Sequence, residues 1–565
     1  MPVIAAAAVQ FEPRMFEKER NIDRLVGLVM QAAQTGARLV TTPEMATTGY
    51  CWHDRAEIAP YVEPVPGPTT RRFAALAQEL GCHIVLGMPE VDPVTDLYYN
   101  SAVLIGPEGV VGTHRKTHSY ISEPKWSAAG NLGHQVFETP LGRVAMLICM
   151  DIHFIETARL VALGGADVIC HISNWLAERT PAPYWINRAF ENGCYLIESN
   201  RWGLERGVQF SGGSCIIGPD AEILSLVDGG DGIALAEIRT GEDRLALLTD
   251  DRGPQARRPD LYKTLMQDSY LWNPNDFFTL YGHRPRPEGT RFRAAVARFE
   301  ATQNPDENLF RIAEVARAAR REGAELIVFP ERALTGPAGP AIKRDGPEMA
   351  AMAGLSAQLG LAIVGGFAED ADDRQFNAAF LAAGGEIRGI YRQVHLSRED
   401  SSWAAPGNDW LWVDLPFGRI GLLIGHDAHF PEAARILALE GCDMIAFPSC
   451  RSDAFFAAHP GTTVAQPGAI PTGQDPFHWH EYRVRAGENN VYALFANVGA
   501  GSGIFGPDTF AFPREEAILC GDASFVCGTI DCSNNDRRYP TSVVRRKDLV
   551  AMRLPHWYEP LVRTR

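Results

Sequence analysis

The sequence predicts two tandem α/β domains. Three observations carry that reading: length, an internal repeat, and strand-like segments that alternate with helix-like ones. The chain has 565 residues, whereas single domains run ~100–200 residues and large ones reach ~250. Hydrophobic residues make up 46% and charged residues 22%, the balance of a globular protein with a sizeable core.

The repeat shows first as a helix followed by a strand. Residues 21–44 (NIDRLVGLVMQAAQTGARLVTTPE) run parallel to residues 308–331 (NLFRIAEVARAARREGAELIVFPE). Ile22, Leu25, Val26 and Val29 recur at helical spacing, as do Leu309, Ile312, Ala313 and Ala316. Gly36 and Gly323 suit the helix ends. A short apolar strand follows in each copy and ends in Pro-Glu. Further on, His114–His118 faces Tyr391–His395, and Leu147–Asp151 faces Leu423–Asp427. Arg188-Ala189 faces Arg485-Ala486, and Arg257–Leu261 faces Arg545–Leu549. The order never changes, so the chain reads as a duplication with domains at 1–282 and 291–565. The Pro/Gly/Arg-rich residues 282–290 read as the linker. Apolar runs such as Val144–Ile148 alternate with helical patterns in both copies, which implies α/β units. The second copy is longer between Ser449 and Trp479 by a Pro/Gly/Ala-rich insertion. A segment this long reads either as a surface loop or as a lid.

Composition narrows the function classes. A formal net charge of −16 argues against a nucleic-acid partner, which normally meets a basic face. No apolar run approaches the ~20 residues that span a bilayer. The N-terminus lacks the basic region of a signal peptide. The 11 cysteines include no CxxC pair, which speaks against a disulfide scaffold or a structural zinc site. A cytoplasmic protein acting on a small molecule is the expectation.

Three residues carry the candidate chemistry. Cys149 ends the Val144–Ile148 strand and precedes a turn and a helical run over Ile155–Leu163, a place where a helix N-terminus favours thiolate. Glu44 ends the Pro-Glu strand, and Lys116 follows a third strand. Taken singly, these read as a core thiol, a loop carboxylate and a solvated lysine.

As a set they resemble the nitrilase superfamily of carbon–nitrogen hydrolases. Pro43-Glu44 with Thr48-Gly49-Tyr50, His114–His118 and Leu147–Asp151 look like that family's motifs. Asn200–Gly203, Gly213-Ser214 with Gly218–Asp220, and Arg257–Tyr262 match as well. The resemblance covers residues 3–262 well and 292–549 more loosely. It implies two four-layer α-β-β-α sandwiches packed as a pseudo-dimer, with homo-oligomers built from such chains. It also implies Glu44 as general base, Cys149 as the nucleophile that forms a thioester, and Lys116 with the Met150 backbone N–H as oxyanion donors. Glu123 takes the place of a second glutamate that positions substrate and water. Tyr50, Asn174 and Trp175 are implied substrate contacts, with His171 and Ser173 beside them, although Ser173 or Asn174 would also make a good helix N-cap. No metal or organic cofactor is implied.

Met150-Asp151 after the nucleophile looks more like amidases and N-carbamoyl hydrolases than like nitrilases, which usually carry Trp-Glu there. Nitrile hydrolysis and acyl transfer stay open, as does a non-catalytic binding or assembly role. In the second copy Glu331 is retained, but Gln393 replaces the lysine and Gly425 the cysteine. That copy is expected to fold without reacting and to serve as a built-in partner that shapes the first site.

Overall fold

The computed structural model describes residues 3–241, 253–268, 285–371, 373–466, 470–508, 512–533 and 543–564. Residues 282–284 of the expected linker and 467–469 of the insertion lie outside them. Two compact units emerge, one of Met1–Thr249 with Ala458–Trp479, the other of Asp250–Ala457 with His480–Arg565.

The first unit contains β1 (Val3–Gln10), β2 (Leu39–Thr41), β3 (His83–Val91), β4 (Tyr98–Gly106), β5 (Gly109–Arg115), β6 (Val136–Thr139) and β7 (Gly142–Ile148). It continues with β8 (Val168–Ser173), β9 (Tyr195–Asn200), β10 (Trp202–Glu205), β11 (Val208–Ser211), β12 (Cys215–Ile217), β13 (Ile223–Leu226) and β14 (Gly232–Arg239). One six-stranded sheet has the order β14-β1-β2-β3-β4-β5 and the other β13-β12-β9-β8-β7-β6, while β10 and β11 pair apart. The central pairs β1–β2, β2–β3, β7–β8 and β8–β9 are parallel. The sheets pack face to face, β1 on β9 and β4 on β7. Helices Lys18–Gln34 and Pro68–Leu80 cover the outer face of the first sheet, and Ile155–Leu163 and Pro183–Asn192 that of the second. Covered on both faces, β8 and β9 are buried at every residue, as parallel strands between two layers should be.

The local reasons are those read from the sequence. Helix Lys18–Gln34 buries Ile22, Leu25, Val29 and Ala32, one stripe at helical spacing. It stops at Thr35, and Gly36 follows at φ 100, a left-handed turn that glycine adopts without a Cβ clash.

The second unit repeats the plan. Its sheets run Glu386–Arg392, Arg374–Ala383, Ala362–Ala371, Leu326–Val328, Arg291–Ala297, Phe525–Asp531, and Leu411–Leu415, Gly418–Leu422, Met444–Ser449, Tyr492–Asn497, Gly503–Phe505, Ala517–Ile518.

The units exchange segments relative to the repeats. Part of the second copy's insertion packs into the first unit. Thr462 N donates to Thr180 O at 3.1 Å, and both Thr463 N and Thr463 Oγ1 bond Asp228 at 2.6 Å. Trp479 Nε1 donates to Asn187 Oδ1 at 3.2 Å. Conversely, Arg257 and Tyr262 belong by sequence to the first copy but lie in the second unit, where they meet Glu432 (2.7 Å) and His395 (2.7 Å). Among the described residues no helix is long and apolar enough to cross a membrane.

Candidate active site

The carboxyl ends of several strands bring the candidate residues together. Glu44 follows β2, Lys116 follows β5, Cys149 follows β7 and Asn174 follows β8. Lys116 Nζ lies between two carboxylates, 2.8 Å from Glu44 Oε1 and 2.5 Å from Glu123 Oε1. Asn100 Nδ2 donates to Glu44 Oε1 at 2.6 Å, and Asn174 N to Glu44 Oε2 at 2.7 Å. Tyr50 Oη donates to Glu123 Oε1 at 2.7 Å. Glu44, Lys116, Glu123 and Cys149 are all buried, so each charge needs its partner.

Electrostatics follow from that burial. Burial pushes the Cys149 thiol well above its ordinary range; Glu44 adds to the rise and Lys116 opposes it. Burial thus works against the thiolate that a helix N-terminus would favour. Burial works against the Lys116 ammonium, yet Glu123 and Glu44 hold its pKa well above the usual value. Glu123 is pushed up to about 7 by burial, against the pull of Lys116.

Cys149 opens a short 3-10 turn, Cys149–His153, ahead of helix Ile155–Leu163. Its φ is 46, a left-handed conformation that costs a non-glycine residue of order 1–3 kcal/mol. Asp151 ties this elbow to the lysine segment. Its carboxylate accepts from Ile148 N (3.1 Å), Thr117 Oγ1 (2.7 Å) and His118 N (2.9 Å), and meets His114 Nε2 at 2.9 Å. Burial alone would raise Asp151, but the His114 and His118 bonds hold it well below the usual carboxylate range.

The remaining expected residues are placed as follows. Asn174 caps Glu44 and is no helix N-cap, because the next helix starts at Pro183 with Ala182 as its cap. Trp175 stacks on His153 with ring centroids 4.8 Å apart. Met150 is the second residue of the turn, where backbone N–H groups lack an intrahelical acceptor. His171 and Ser173 point at Glu198 rather than lining open space. Sequence reasoning missed Asn100, Asp151 and Glu198. The repeat held a signal for the first two, since Asn377 and Asp427 stand at the matching places.

The second unit keeps the frame and carries Gln393 and Gly425 at the places of Lys116 and Cys149. Asn377 Nδ2 reaches both Glu331 Oε1 and Gln393 Oε1 at 2.8 Å. Asp427 bonds Ile424 N (3.0 Å) and His395 N (2.9 Å) as Asp151 does in the first. Gly425 has φ 25.

A family model for carbon-nitrogen hydrolases matches residues 5–244 and again 293–527. A nitrilase of Pyrococcus abyssi is 39% identical over 225 residues, 40% of this chain and 85% of that protein. An N-carbamoylputrescine amidase of Oryza sativa subsp. japonica is 29% identical, over 46% of this chain and 94% of its own length. A human deaminated glutathione amidase is 28% identical, over 47% and 85%. With matches over both halves, the chain belongs to the carbon-nitrogen hydrolase family and is a tandem duplication of that family's domain.

Proposed function

We propose that the first unit hydrolyses an amide or N-carbamoyl compound through a thioester on Cys149. The observation that carries this reading is the buried Lys116 ammonium held between Glu44 and Glu123 (2.8 and 2.5 Å) beside the raised thiol. As Sγ attacks the carbonyl carbon, Glu44 accepts the thiol proton. The oxyanion forms against Lys116 and the Met150 N–H. Collapse breaks the C–N bond, and Glu44 returns the proton to the leaving ammonia or amine. A water then gives one proton to Glu44 and its hydroxyl to the thioester carbon; the C–S bond breaks, Glu44 passes that proton to the departing sulfur, and the acid and the thiol are released. Glu123, held by Tyr50 and Lys116, orients substrate and water.

The second unit is proposed as non-hydrolytic, since Gly425 offers no nucleophile. The second copy's segment 458–479, which lies within the first unit, bonds Thr180 and Pro181 in the loop that follows Asn174, the residue whose N–H meets Glu44. Incubating the full chain with amides, ureides and nitriles, then locating acyl adducts by mass spectrometry, tests the reading. Adducts on Cys149 and loss of ammonia release in Cys149→Ala are expected. Turnover of nitriles alone would shift the substrate class, and an adduct elsewhere would overturn the mechanism.

A further inference from the structure

Behind the nucleophile elbow lies a buried pair that the reaction as written does not use. His171 on β8 and Glu198 on β9 are register partners in the second sheet. Both are fully buried, and His171 Nδ1 meets Glu198 Oε2. On its other side, His171 Nε2 lies 3.1 Å from the carbonyl oxygen of Cys149. A carbonyl only accepts, so Nε2 carries a hydrogen, and a hydrogen bond between Nδ1 and Oε2 needs one further proton between them. Ser173 Oγ donates to the other oxygen, Glu198 Oε1, at 2.5 Å.

The second unit supplies an internal control. The matching register pair there is Phe447 with Phe495. The matching carbonyl, that of Gly425, accepts from the neutral hydroxyl of Tyr482 at 3.3 Å. The fold therefore accommodates two phenylalanines at this pair and satisfies the elbow carbonyl without an ionisable group. A buried His–Glu pair is costly to desolvate, and it occurs in the copy that keeps the cysteine.

We propose that His171 and Glu198 are positioning residues that polarise the Cys149–Met150 peptide. Hydrogen bonds in series strengthen one another. A donor on the Cys149 carbonyl makes the Met150 N–H of the same peptide a stronger donor to the developing oxyanion. As negative charge grows on the substrate oxygen, the shared proton moves toward Nδ1 and leaves a carboxylate on Glu198. The substrate bond changes stay as described above, and no co-reactant is required. This rests on Cys149 being the nucleophile and Met150 N–H an oxyanion donor.

The test uses the full chain with Glu198→Gln, and with His171→Phe/Glu198→Phe to copy the second unit. Loss of one oxyanion donor typically costs ~10²–10³ in rate; weakening one should lower kcat ~10-fold for Glu198→Gln and more for the double variant. KM should stay within about twofold, because the ground-state carbonyl gains little from this donor. Glutamine keeps the shape and hydrogen bonds of Glu198 but cannot exchange the proton, so it decides the matter if the double variant does not fold. A folded Glu198→Gln chain with wild-type kcat, or one whose loss falls on KM, overturns the proposal. Full activity in Cys149→Ala would instead overturn the underlying mechanism.

Discussion

Cys149 and Gly425 occupy the same elbow of the two copies, at φ 46 and φ 25, and the second has shed its side chain. A Cβ added at Gly425 would lie 2.8 Å from Glu331 Oε2 and 3.4 Å from Ser449 Oγ. The carboxylate thus stands where a nucleophile's side chain would start. The turn is a property of the fold, and the first copy tolerates its backbone cost to present a thiol.

Restoring the cysteine should not restore chemistry. Gly425→Cys in a Cys149→Ala background is expected to release no ammonia, because Gln393 supplies no cation. Crowding against Glu331 and the positive φ should lower stability by roughly 1–3 kcal/mol. Urea unfolding and an ammonia assay read both, and ammonia release from this variant would show that the second frame is still competent.

Lys116→Gln reproduces the second copy's residue in the first. The substitution removes the cation between Glu44 and Glu123, leaving two buried carboxyls facing each other. A fall in kcat of ~10²–10³ is expected from the lost oxyanion donor. Breaking a buried ion pair typically costs about 3–5 kcal/mol, so thermal unfolding should drop as well. Unchanged kcat in a folded variant would remove Lys116 from the mechanism.

Glu331 offers a pH test away from the first unit's chemistry. Burial, then the nearby Asp400 charge, push it up to about 7 from an ordinary 4.5. A carboxyl raised on folding binds more protons in the native state, so its contribution is full below about pH 4.5 and is lost as pH rises through about 7. Glu331→Gln removes this titration. The stability of the wild type relative to the variant should therefore decline across that window. A difference independent of pH would mean that Glu331 does not titrate there.

The segment 458–479 should matter to substrate binding more than to bond making. Thr462 Oγ1 donates to Ser211 O at 3.2 Å, and Thr463 Oγ1 to Asp228 Oδ2 at 2.6 Å, whereas neither contact touches Lys116 or Cys149. The paired change Thr462→Val/Thr463→Ala removes side-chain hydrogen bonds worth roughly 0.5–1.5 kcal/mol each. Kinetics should show KM several-fold higher with kcat within about twofold. An unchanged KM would make the segment a passive surface element.

The sequence by itself determined the duplication, the alternation of strands and helices, and the contrast between Glu44, Lys116, Cys149 and Glu331, Gln393, Gly425. These features are local or serial: helical spacing in Ile22–Val29, Pro-Glu at two strand ends, motifs in one order. Tertiary structure decided what depends on several elements meeting. The pairing of His171 with Glu198 exists only because β8 and β9 lie in that register, and neither residue has a local pattern that names the other. Asp151 stands in a quoted motif, yet its hold on Thr117 and His118 appears only when β5 and β7 are brought together. The burial that pushes the Cys149 thiol up was not legible locally, since a turn can be read from neighbours but burial is set by every layer around it. The membership of 458–479 in the first unit was likewise invisible. Its anchors, Thr180, Asn187 and Asp228, lie 282, 292 and 235 residues from their partners in sequence, and only the folded backbone puts them within hydrogen-bond reach.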